Sequence, residues 1–102
     1  MSIKKQFLKS KPICKVSFKV SKELANGATK VNLAGDFNNW NETSDEMNAL
    51  KDGSFSLSVD LESGREYQFR YILDGTIWTN DEAPDGYKPS GFGDTENSVI
   101  TL

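Results

Sequence analysis

The residue types able to do chemistry are few, and the missing ones narrow the choice. The chain of 102 residues has no histidine and a single cysteine, Cys14. Ser-His-Asp and Cys-His catalysis are therefore excluded, as are His-ligated metal sites. One cysteine makes neither an internal disulfide nor a multi-cysteine zinc site, and it suits a reducing compartment. Fifteen carboxylates remain. A glycosidase needs two, one of them kept protonated by its surroundings. Here Asp52 and Asp74 fall in turn signals, while Asp60 and Glu62 fall on the polar side of an alternating segment, all places for solvating charge. Asp81, Glu82 and Asp85 cluster, but without the spacing of an EF-hand loop. Gly91-Phe92-Gly93 lacks the third glycine and the strand-to-helix setting of a dinucleotide site. The expectation is a protein that is not an enzyme, with no cofactor and no metal.

The aromatic residues carry more information. Trp78 follows an Asp74-Gly75 turn and sits beside Ile77. Adjacent strand residues face opposite sides, so an Ile77 in the core puts Trp78 outside. By the same alternation Arg70 and Gln68 lie outside when Tyr67, Phe69, Tyr71 and Leu73 lie inside. The hairpin turn brings Arg70's strand beside Trp78's. Trp40 ends a polar, turn-forming stretch, Asp36-Phe37-Asn38-Asn39, where it either caps the core or stands open. An exposed indole is a flat apolar plate that stacks on the C–H face of a pyranose, while Arg, Asn and Gln take the hydroxyls. Trp and Arg are also the residues of protein hot spots. The residues alone leave both readings open: a sugar-binding site or a protein-docking surface.

These side chains need a frame, and the frame is written in period two. Cys14-Val16-Phe18-Val20, Phe55-Leu57-Val59-Leu61 and Tyr67-Phe69-Tyr71-Leu73 alternate with polar residues. Val31 to Gly35, Ile77-Trp78 and Asn97 to Leu102 are shorter strand candidates. Asn26-Gly27, Asp52-Gly53, Ser63-Gly64 and Asp74-Gly75 supply turns between them. No window shows a helical repeat. About seven short strands, each with one apolar face, predict an all-β, immunoglobulin-like antiparallel β-sandwich. Residues 36–50 and 79–96 are too long and polar for simple turns, and long loops on a rigid sandwich are where function gathers.

Charge is placed unevenly. Seven lysines precede the first acid, Glu23, and the net charge is −3. Residues 1–12 read as a basic leader and 13–102 as the single sandwich domain. The lysines are dispersed, so a solvated leader and an edge strand with outward lysines explain them without a nucleic-acid or membrane partner. No apolar run has transmembrane length and the start lacks the apolar region of a signal peptide, which predicts a cytoplasmic protein.

The segment Val31-Asn32-Leu33-Ala34-Gly35-Asp36-Phe37-Asn38-Asn39-Trp40 resembles the opening of family 48 carbohydrate-binding modules. These include the glycogen-binding domain of the AMP-activated protein kinase β subunit and the early-set N-terminal domains of isoamylase-type and glycogen-branching enzymes. Asp52-Gly53-Ser54-Phe55, Tyr67 to Gly75, Trp78-Thr79-Asn80-Asp81, Phe92-Gly93 and Asn97-Ser98-Val99-Ile100 follow in the family's order, covering roughly residues 29–102. The resemblance implies an early-set sandwich that binds α-1,4-glucans such as glycogen, starch or maltooligosaccharides. It places Trp40 and Trp78 as stacking residues, Arg70 where kinase-type domains have a hydroxyl-binding lysine, and Asn97 as a hydrogen-bonding asparagine. Phe92 falls where a leucine enters the curve of a glucan, and Thr95 or Asp94 near the family's threonine. It also implies, as the alternative, docking on a glycogen-metabolising enzyme or a kinase subunit without sugar binding. Thr76 and Ile77 separate Gly75 from Trp78 where kinase-type domains have one residue, so a shifted register or a bulge is expected here.

Overall fold

The computed structural model describes residues 3–91, 93 and 95–102. Among these residues the chain forms β1 (Ile3–Phe7), β2 (Ile13–Val20), a one-turn helix α1 (Lys22–Ala25), β3 (Val31–Gly35), a 3-10 turn (Asp36–Asn38), β4 (Asn48–Ala49), β5 (Phe55–Glu62), β6 (Glu66–Leu73), β7 (Ile77–Thr79), β8 (Gly86–Pro89) and β9 (Glu96–Thr101). One antiparallel sheet runs β1-β2-β5-β4. The other runs β3-β6-β9-β8, with β7 also paired to β6. The architecture is the expected antiparallel sandwich, with nine strands rather than about seven.

The alternating segments fold as their period dictates. Cys14, Val16, Phe18 and Val20 of β2 are all buried, and so are Tyr67, Phe69, Tyr71 and Leu73 of β6. The two stripes meet face to face. The Phe18 and Phe69 rings pack edge to face with centroids 5.1 Å apart. Phe37 extends this cluster, 5.9 Å from Phe18 and 6.2 Å from Tyr67. Gly35 makes that packing possible. A Cβ there would lie 2.6 Å from the Gln68 carbonyl oxygen, 2.8 Å from the Phe37 ring and 2.9 Å from Phe69 Cβ. The backbone is extended at Gly35, so the constraint is one of space.

Several expectations are corrected. Ile3–Phe7, read as leader, pair with Phe18–Cys14 and form the edge of the first sheet. Two lysines and a glutamine hide the strand: Lys4 and Gln6 face outward, Lys5 shares the face of Ile3, and Ile3 is the one buried residue of β1. β4 and β8 have two and four residues, too few to display a period. The Asn26-Gly27 pair caps a helix and does not close a hairpin. Ser21 Oγ accepts from the Leu24 amide at the helix start, and Asn26 takes a left-handed conformation at its end. One turn is too short for an apolar repeat. Ile77 is 59% exposed, so it is not the core partner of Trp78. β7 is a three-residue edge ribbon at the turn, and its two faces both stay open. The extra residue before Trp78 is absorbed in the turn, with positive φ at Asp74 and Gly75. The register Leu73↔Ile77, Ile72↔Trp78, Tyr71↔Thr79 runs on without a bulge.

The edges of the two sheets are pinned where β1 meets β8 and β9. Lys5 Nζ donates to Asp85 Oδ2 at 2.5 Å and to the Thr101 carbonyl at 3.0 Å, and the Thr101 amide donates to Asp85 at 2.8 Å. Partial burial works against the charged form of Asp85, but the Lys5 bond, the Thr101 amide and the ammonium charge together hold its carboxyl below the ordinary range. A depressed folded-state pKa contributes stability in full above the unfolded value, about 3.9, and loses it as pH falls through the folded value.

Two predictions follow from these contacts. Gly35→Ala lowers stability by about 1–3 kcal/mol through overpacking, as read by chemical denaturation. The wild-type melting temperature falls from pH 5 to pH 2.5, and the fall is shallower in Asp85→Asn.

Candidate functional site

The outer face of the second sheet carries an open groove of about 740 Å³ lined by Asp36, Trp40, Gln68, Arg70, Trp78, Ser90, Thr95 and Asn97. The pattern of β6 explains why. Its core stripe leaves Gln68, Arg70 and Ile72 on the other side. Trp78 lies directly opposite Ile72. Ile72 is fully buried, and Trp78, its neighbour on that face, stays 38% exposed.

The second indole arrives from the opposite edge. After β3 the chain turns through Asp36–Asn38, and Asn39 and Trp40 both take positive φ. A left-handed conformation is unusual for a tryptophan and costs about 1–2 kcal/mol. Local bonds hold it. The Trp40 amide donates to the Gly35 carbonyl at 2.9 Å, and the indole Nε1 donates to Asp36 Oδ1 at 3.0 Å. The other oxygen of Asp36 accepts from the Gln68 amide of β6 at 2.8 Å. Asn38 braces the turn from behind, accepting from the Gly35 amide and donating to the Leu33 carbonyl and to Asp45. The two indole centroids end 6.5 Å apart with planes inclined by 29°.

Beside the indoles runs a polar chain. Arg70 Nε donates to Asn97 Oδ1 at 2.7 Å, and Asn97 Nδ2 donates to Gln68 Oε1 at 3.0 Å. Among the described residues the terminal guanidinium nitrogens of Arg70 make no hydrogen bond. At one rim Ser90 Oγ and Thr95 Oγ1 lie 2.5 Å apart, either one donating. The groove therefore offers two apolar plates with a planar cation, amides and hydroxyls beside them.

Behind the groove lies a buried network. Tyr71 Oη donates to Asp81 Oδ2 at 2.5 Å, the Ala83 amide donates to Asp81 Oδ1 at 2.8 Å, and the Asp81 amide donates to Ser98 Oγ at 2.9 Å. Burial, then the Asp81 carboxylate, push the Tyr71 phenol far above its ordinary range, so it remains a protonated donor. The acids that cluster in sequence go separate ways. Asp81 turns to Tyr71, Glu82 accepts from Ser21, and Asp85 takes Lys5. Among the described residues no group of three His, Cys, Asp or Glu is placed to hold a metal ion.

Of the residues expected to contact a ligand, Trp40, Arg70, Trp78, Thr95 and Asn97 line this one groove. Phe92 and Asp94 lie outside the described residues. Sequence reasoning missed Asp36 as a site residue. It read as a turn former, although its position four residues before Trp40 is the signal that the two side chains meet. Gln68 lies on the outer face expected of it and lines the groove with its amide. Ser90 has no signal in the sequence.

The fold is a β-sandwich with an open, aromatic-lined groove across one sheet. The family model described as the glycogen recognition site of AMP-activated protein kinase matches residues 19–99, and the chain belongs to that family. No curated protein matches the chain. The family is one of non-catalytic carbohydrate-binding modules, so carbohydrate binding in general comes with membership. Among the described residues no helix is long and apolar enough to cross a membrane.

The Asp36 contacts predict a specific defect. Asp36→Ala frees the Trp40 indole and leaves the Gln68 amide without its acceptor. Tryptophan emission then shifts to the red and acrylamide quenching rises, while far-UV circular dichroism stays that of a β-sandwich.

Proposed function

We propose that this protein is a non-catalytic module that binds α-1,4-glucans, namely glycogen, starch or maltooligosaccharides, in the groove over β6. The observation that carries the reading is the convergence of Trp40 and Trp78 beside the Arg70–Asn97–Gln68 chain. Pyranose rings present C–H faces to the indoles, and their hydroxyls meet the guanidinium, the amides and the Ser90–Thr95 rim. The Arg70–Asn97 bond fixes the guanidinium plane before ligand arrives, which lowers the entropy lost on binding. Binding is reversible. A cytoplasmic setting agrees with this reading, since Cys14 is a free, buried thiol.

Isothermal titration of the whole chain with maltoheptaose tests the reading, with cellohexaose as the β-linked control. The expected result is saturable heat with the α-linked sugar and none with the control. Trp78→Ala then weakens binding at least tenfold, about 1.4 kcal/mol, in a protein that still melts cooperatively. A flat trace with folded wild-type protein at millimolar sugar contradicts the reading and favours docking on an enzyme or kinase subunit.

A further inference from the structure

The glucan reading needs Trp78 at a fixed place relative to Arg70 and Asn97, yet the strand that carries it is the least supported in the sheet. β7 has three residues, and among the described residues β6 is its one strand neighbour. A ribbon that short is not stable by its own pairing. Its ends are tied instead by two aspartates that do not line the groove. At the turn, Asp74 Oδ1 accepts from the Thr29 and Lys30 amides at 2.9 and 3.0 Å. At the far end Asp81 faces the core. It is 2% exposed and receives the Tyr71 hydroxyl, directly behind the groove.

The far-end tie also reaches β9. The Asp81 amide donates to Ser98 Oγ, which in turn donates to Asn80 Oδ1 at 2.8 Å. Ser98 is fully buried and is the neighbour of Asn97. One network thus grips the chain two to three residues after Trp78 and one residue from Asn97. The Tyr71 hydroxyl is not required for filling space, since Phe18 and Phe69 fill the same core with bare rings. What the hydroxyl adds is a bond to a buried carboxylate, and such a carboxylate is costly unless hydrogen-bonded.

We propose that the Tyr71–Asp81 pair is the positioning device of the carbohydrate groove: by clamping the chain after β7 to the core side of β6, it sets where the Trp78 indole stands relative to Arg70 and Asn97. Neither residue touches ligand, and the proposal rests on the glucan reading above. An amide at position 81 keeps the clamp, with Nδ2 donating to the Tyr71 oxygen and Oδ1 accepting from the Ala83 amide. A phenylalanine at position 71 or an alanine at position 81 opens it.

The test uses the whole chain well below its melting temperature. Maltoheptaose is titrated into wild type, Asp81→Asn, Tyr71→Phe, Asp81→Ala and Ser98→Ala. In parallel, a Trp40→Phe background leaves Trp78 as the one indole, so that its emission reports the position of β7. The expected result is Asp81→Asn within about twofold of wild type, and Tyr71→Phe weaker by about fivefold or more with Trp78 emission shifted and more quenchable. Ser98→Ala, which opens the same network from β9, gives the same direction and serves if Tyr71→Phe does not fold. Folded Tyr71→Phe or Ser98→Ala with wild-type affinity and unchanged Trp78 emission overturns the proposal. If wild type binds no sugar, the glucan reading fails separately, and the emission of Trp78 still decides whether the pair positions β7.

Discussion

β6 has two edges and eight residues, and no single neighbour runs the length of either edge. β3 pairs with Phe69 to Leu73 and then turns away at Gly35. On the other edge β9 pairs with Glu66 to Phe69, and β7 takes over from Tyr71 to Leu73. Backbone donors and acceptors left bare in a packed sheet are costly, so each gap has to be filled by something else. The Asp36 carboxylate fills the gap beyond β3 by accepting from the Gln68 amide. The seam between β9 and β7 is closed by Asn80, Ser98 and Asp81.

The same repairs build the groove. Asp36 reaches the Gln68 amide with one oxygen and holds the Trp40 indole with the other. Arg70 sits at the residue where β6 changes partner, which leaves its side chain beside Asn97 of β9 and Trp78 of β7. The site therefore lies where the sheet is least regular, while the core beneath it, from Phe18 to Tyr71, is closely packed. A tryptophan backbone held at positive φ at the rim fits this picture. Strain of that kind persists where surrounding bonds over-determine it, and it gathers at functional sites.

The long strands were legible because their apolar residues alternate over eight positions, as in β2, β5 and β6. Val31 to Gly35 was legible from its turn boundary. That Arg70 and Trp78 share the outer face of neighbouring strands was legible from the alternation of β6 and one Asp-Gly turn, although the core place expected of Ile77 is not found. What stayed hidden has physical reasons. β1 has two lysines in five residues and only Ile3 buried, so it looks like a charged leader. β4 and β8 are too short for a period, and β8 exists only because β9 offers it an edge. The Tyr71–Asp81 bond joins residues ten apart that belong to a core stripe and to an acidic loop. Nothing in either segment alone indicates that this carboxylate turns inward.

The glucan proposed above lies across β6, against the two indoles. Nuclear magnetic resonance of the nitrogen-15-labelled chain, titrated with maltoheptaose, reads that directly through side-chain N–H groups. The account predicts that the indole resonances of Trp40 and Trp78, the Nε of Arg70 and the amide groups of Gln68 and Asn97 move together and saturate at one concentration. Amides of the β1–β8 edge, around Lys5 and Asp85, stay still. Shifts confined to that edge, with both indoles unmoved, would contradict it.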